Sequence, residues 1–129
     1  MSRPTPLDLL VRGHHLIRDP RHWTQGMSAA TIRGRGVPTE DSSAVCFCAR
    51  GAVARAQFEL GAGSDAANVA SRILDQESRR LFGYGVISVN DGRRGEATQS
   101  RSGSHRRVVM VYEEVITAAR AQYGGEAAP

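Results

Sequence analysis

Cys46-Phe47-Cys48 places two thiols two residues apart in a chain of 129 residues that has no other cysteine. Cysteine usually owes its presence to reactivity rather than to packing, so three chemistries have to be weighed. A zinc site would need two more Cys or His ligands at a fixed spacing, and the C-x2-C knuckle is missing, so no metal is expected. A disulfide closing so small a ring would be strained. A nucleophile is the third option. Val45, Cys48/Ala49, Ala52/Val53 and Ala56 recur at helical spacing, with Asp41, Ser42 and Ser43 as capping residues ahead of them. Either thiol would then stand in the first turns of a helix, where the dipole favours a thiolate. Positions i and i+2 of a helix point roughly 200° apart, so only one of the two can face a given pocket. A cysteine hydrolase or transferase also needs a base and an orienting group. His105 and His22, with Asn90, Asp91 and Gln25 as polar support, have the right chemistry, but no spacing brings them together. The preferred reading is therefore core packing in an alanine-rich helix, with Cys48 (or Cys46) as nucleophile the alternative.

Trp23-Thr24-Gln25-Gly26 follows the only strong helix stop near the N-terminus, Asp19-Pro20, and Trp23 is the sole tryptophan. Its expected task is to anchor that loop to the core; tryptophan is also enriched at binding hot spots, so Trp23 and Gln25 are candidate contact residues. His14 and His15 read as structural or surface histidines. Asn90-Asp91-Gly92 has turn chemistry, and a buried Asn or Asp there could instead accept hydrogen bonds from the Trp23 loop and tie two irregular segments together.

All 17 basic residues are arginine and the net charge is +4. A GC-rich coding sequence accounts for the missing lysine, but a guanidinium still suits phosphate and carboxylate better than an ammonium does. Arg93, Arg94, Arg101, Arg106 and Arg107 form the densest cluster, interrupted by Glu96. Cations at a helix start oppose its dipole, so helix stability does not explain them. They point to an acidic partner, nucleic acid or protein. Gly34-x-Gly36 and Gly83-x-Gly85 lack the rest of a phosphate-binding signature, so no cofactor is expected.

The elements that must position these residues fit one domain over 1–129. Helical periodicity runs from Leu7 to Ile17, from Val45 to Leu60, from Ala66 to Leu81 and from Ser104 to Ala119. The predicted caps of the last two helices are Ser64 or Asp65, and Ser104. A short hairpin or irregular β element is expected around Gly34-Arg35-Gly36, and Val86 to Val89 reads as a short strand. Flexible segments are expected at 1–6, 93–103 and 123–129. The fold class is therefore mainly α (α+β), four helices with a small β element after the first. The wide apolar stripe from Val108 to Ala119 marks the central core helix, and part of it could bury a second copy in a homodimer. No segment approaches the roughly 20 apolar residues of a membrane span. Arg12, His14 and His15 interrupt any signal-like region, which points to the cytoplasm.

The order Trp23-Thr24-Gln25-Gly26, Cys48-Ala49-Arg50-Gly51-Ala52, Asn90-Asp91 resembles that of a family of small bacterial and phage proteins of unknown function. These share a W-T-Q-G loop, a C-A-x-G-A helix and an N-D turn before a C-terminal helix. The resemblance spans about residues 5 to 122 and implies that Trp23, Gln25, Gly26, Cys48, Gly51, Asn90 and Asp91 occupy the family's characteristic positions. It implies no activity. In that family the last helix starts soon after Asn-Asp, whereas here residues 93–103 intervene. Together these features predict a small binding or regulatory module, phage-associated, that meets an acidic partner through the arginine-rich loop and helix start.

Overall fold

The computed structural model describes residues 3–92 and 100–127. Among them are five helices and one two-stranded sheet: α1 (Pro6–Ile17), β1 (Ala29–Ala30), β2 (Cys46–Phe47), α2 (Ala49–Leu60), α3 (Ser64–Phe82), α4 (Val86–Asp91) and α5 (Arg101–Ala127). The mainly α class with a small β element is as expected from the sequence. The helix count is one higher.

α1 starts on a reciprocal cap: Asp8 N donates to Thr5 Oγ1 and Thr5 N donates to Asp8 Oδ2, with Pro6 preset for the first helical position. Its Leu9, Leu10 and Ile17 are buried, and Gly13 lets the Tyr112 ring lie against the helix. α5 is the main core helix, with Val108, Val111, Tyr112, Val115 and Ile116 buried against α1, α3 and α4. The stripe predicted from its sequence is thus consumed inside the chain, which accounts for it without a second copy.

Three sequence expectations change. Helix two does not begin near Val45. Cys46 and Phe47 are extended and pair antiparallel with β1, in the register Ala29↔Phe47 and Ala30↔Cys46. The helix starts only at Ala49, with Cys48 as its cap, while Asp41 instead accepts from Ser43 N in the preceding loop. The pairing joins residues 16 and 18 apart, and local periodicity carries no information about it. Second, Val86–Asp91 is a helix rather than a strand. Val86 and Val89 bury one helical face, Asp75 Oδ1 accepts from Val86 N, and Gly92 closes the end at φ 67°. Packing overrides the strand preference of the β-branched residues. Third, α5 starts at Arg101, because Ser100 rather than Ser104 caps it: Ser100 Oγ accepts from Gly103 N. Arg101–Gly103 are therefore helical rather than part of the expected loop, and residues 93–99 of that loop lie outside the described residues. α5 continues to Ala127.

The glycine-punctuated stretch after β1 does turn back on itself. Thr31 N donates to Arg35 O, Val37 N donates to Ala29 O, and Ala30 bridges Gly36. Arg55 of α2 holds the onward loop, donating from Nη1 to Thr39 O and Asp41 O.

Candidate functional site

Asn90, at the end of α4, is 1% exposed and uses both ends of its amide. Oδ1 accepts from Trp23 Nε1 at 2.7 Å and from Ala49 N at 2.9 Å, and Nδ2 donates to Thr24 O at 3.1 Å. Its backbone carbonyl accepts from Gln25 Nε2 at 2.9 Å. Asp91 Oδ1 accepts from Gly26 N at 2.9 Å and from Asn90 Nδ2 at 3.1 Å. One residue therefore joins the Trp23 loop, the first N–H of α2 and the end of α4. The alternative reading of Asn90-Asp91, a tie to the Trp23 loop, describes this arrangement.

Gly51 completes the junction. α2 passes so close to the loop that a Cβ at this position would lie 1.9 Å from Ser28 O. Cys48 N donates to Ser28 O, and Tyr112 Oη donates to Ala49 O at 2.7 Å from the core side. Burial pushes the Tyr112 phenol well above its ordinary pKa, so it stays a neutral donor.

These contacts give the order of motifs a physical sense. The family model of DUF6197, described as a family of unknown function, matches residues 1–117. The chain belongs to DUF6197. No curated protein and no solved structure matches it. In this DUF6197 member the loop, helix start and turn are three parts of a single cross-tied junction.

The two cysteines flank the junction on different sides and are half-buried. Cys46 Sγ donates to Arg21 O at 3.3 Å. Burial pushes its thiol pKa up, against the pull of the Arg101 guanidinium. Cys48 Sγ accepts from Gly51 N at 3.2 Å and lines a pocket of about 440 Å³ between α2, α3, α4 and the 26–28 loop. Burial pushes this thiol up too. The N–H groups of Gly51 and Arg50 oppose that rise, and the Asp91 carboxylate adds to it. The dipole of α2 therefore meets a thiol that burial keeps protonated, rather than an activated thiolate.

No histidine lines that pocket. His105 Nε2 lies 2.8 Å from Ile17 O, which only an N–H can satisfy, and its ring stands edge-on to Trp23 with centroids 5.2 Å apart. His22 Nδ1 is similarly engaged with Val45 O at 3.1 Å. Among the described residues no three His, Cys, Asp or Glu side chains gather as metal ligands.

Of the arginines predicted as one cluster, Arg101, Arg106 and Arg107 are among the described residues. Arg93 and Arg94 lie outside the described residues. Arg101 Nη2 donates to Trp23 O at 2.8 Å, and its guanidinium carbon stands 4.8 Å from the centre of the Trp23 ring. Arg106 is exposed, and Arg107 turns to Phe82 on α3, 5.0 Å from the ring centre. Arg101 also lines a shallow depression with Thr24, Ile32, Gly34 and Cys46, which brings the start of α5 beside the tip of the 31–45 loop. There Ile32 is 87% exposed, and Arg33 and Arg35 are exposed on either side of Gly34.

Sequence reasoning missed Arg50, Asn68 and Ser71 as pocket residues, and Ile32 and Gly34 as neighbours of Arg101 in the shallow depression. The i, i+3 spacing of Asn68 and Ser71 was the available signal, since it marks a small polar strip beside the apolar face of α3.

Proposed function

We propose that this DUF6197 chain is a binding module that engages an acidic macromolecule through the face made by the start of α5 and the tip of the 31–45 loop. The observation that carries this reading is Arg101. Its guanidinium is held over Trp23 in a fixed orientation, with no carboxylate within ion-pair distance among the described residues. Arg33, Arg35 and Arg106 are likewise without a carboxylate partner there, whereas Arg12, Arg55, Arg79 and Arg80 are all ion-paired. Arg33 and Arg35 flank Gly34, which lines the same depression as Arg101, and guanidinium groups without a carboxylate partner among the described residues form an electrostatic footprint for phosphate or carboxylate there, to which the exposed Ile32 adds an apolar contact. A chain with two free thiols fits the reducing cytoplasm, of a bacterium or of its phage, as the setting. Among the described residues no helix is long and apolar enough to cross a membrane.

Titration against duplex DNA, single-stranded RNA and polyglutamate over a range of salt tests the proposal. Affinity for one of them is expected to fall steeply with salt. The double variant Arg33→Gln, Arg35→Gln should bind more weakly and flatten the salt slope by roughly 0.9 for each DNA phosphate that is no longer neutralised. Replacing the ion-paired Arg80 with Gln should leave binding unchanged. Absence of binding at low salt, or binding indifferent to the double variant, contradicts the proposal. The competing reading, a hydrolase or transferase with Cys48 as nucleophile, has in its favour that the sulfur borders a pocket, but it lacks a histidine among that pocket's lining.

A further inference from the structure

The pocket beside Cys48 is remote in chemistry from the arginine face and needs its own explanation. At about 440 Å³ it falls in the range of roughly 300–1,000 Å³ typical of small-molecule sites. The start of α2 forms one wall, but it is a poor anion cradle. Its first N–H is taken by Asn90 Oδ1 and its third by Cys48 Sγ. Recognition must therefore come from side chains.

Those side chains are electrically balanced. Arg50 and Asp91 both line the pocket, and neither has a partner of opposite charge within ion-pair distance among the described residues. Asp91 spends Oδ1 on Gly26 N and Asn90 Nδ2, while Oδ2 receives no hydrogen bond from the described residues. Asn68 and Ser71 on α3 supply neutral donors and acceptors that bond nothing else described, and Ile87, half exposed, adds an apolar contact. A site with one cation, one anion and no net charge disfavours polyanions such as nucleotides. It complements a small molecule that carries both signs.

We infer that this pocket binds a zwitterion of amino-acid size, with its carboxylate on Arg50 and its ammonium on Asp91. The inference is independent of the acidic-partner reading, because it uses none of the same residues.

Calorimetry and amide chemical-shift mapping with the individual standard L-amino acids at millimolar concentration form the test, with the corresponding N-acetyl and C-amide derivatives as blocked probes. At least one free amino acid should bind and shift the amides of Arg50, Asn68, Ser71 and Asp91. Blocking either end should weaken it by about tenfold or more. Arg50→Gln changes an exposed side chain, and Asp91→Asn keeps the Oδ1 acceptor for Gly26, so both should fold and both should lose about tenfold or more. Ser71→Leu, which fills the pocket, should abolish binding, and Arg80→Gln should not affect it. If no amino acid binds, or if the blocked probes or these pocket variants bind as the wild type does, the inference is wrong.

Discussion

Replacing Gly51 with alanine is expected to cost about 3 kcal/mol of stability or more, against the direction that helix propensity alone would give. In an exposed helix interior Gly→Ala gains roughly 0.5–1 kcal/mol, because glycine carries the larger entropy loss on folding. Gly51 lies inside α2, so propensity predicts a gain. The added methyl, however, would stand 1.9 Å from Ser28 O and 2.8 Å from Ser28 C. Overpacking against movable side chains typically costs ~1–3 kcal/mol. Here the obstacle is backbone, fixed by the Cys48 N–H that donates to the same carbonyl. Gly63→Ala is the control, since nothing lies within 4 Å of a Cβ there. In urea unfolding the control should stay within about 0.5 kcal/mol of wild type, while Gly51→Ala lowers the midpoint with little change in slope. A neutral or stabilised Gly51→Ala variant would mean that α2 does not press on the 26–28 loop.

Asn90→Leu should be comparably damaging although the replacement is apolar and similar in size. Three groups lose their partner at once: Trp23 Nε1, Ala49 N and Thr24 O. An unsatisfied buried donor or acceptor costs ~1–3 kcal/mol. Some of these groups will find water as the loop loosens, so a loss of roughly 3–5 kcal/mol is the expected net effect. The indole should also report it directly, with Trp23 fluorescence shifting to the red as its ring meets solvent. A loss below about 1 kcal/mol, the net value of an ordinary single hydrogen bond, would mean that Asn90 is not the hub described.

The sequence made visible what depends on short-range pattern. The stripes of α1, α3 and α5 follow from period and caps, and the junction of Trp23 with Asn90 could be framed as an alternative because a buried asparagine has few ways to be satisfied. What stayed hidden depends on contacts distant in the chain. Cys46 and Phe47 have helical neighbours at the right spacing, yet β1 claims them from 16 and 18 residues away. Val86 to Val89 is rich in strand formers, but Asp75 and two flanking glycines set up a helical turn. The arginine cluster looked continuous because sequence distance hides helical direction. Positions 101, 106 and 107 point different ways, and only folding shows that Arg101 belongs with Ile32 and the loop tip.

The reading of the motif cluster as a cross-tied junction with an unactivated thiol, rather than a cysteine active site, is tested most directly by alkylation of Cys48. In the Cys46→Ser variant, iodoacetamide labelling followed by mass spectrometry against pH should give a midpoint above that of an ordinary free cysteine, with slow labelling at pH 6 that accelerates only on the alkaline side. Rapid labelling at pH 6 would mean a thiolate held below its ordinary pKa, and would return Cys48 to the role of nucleophile.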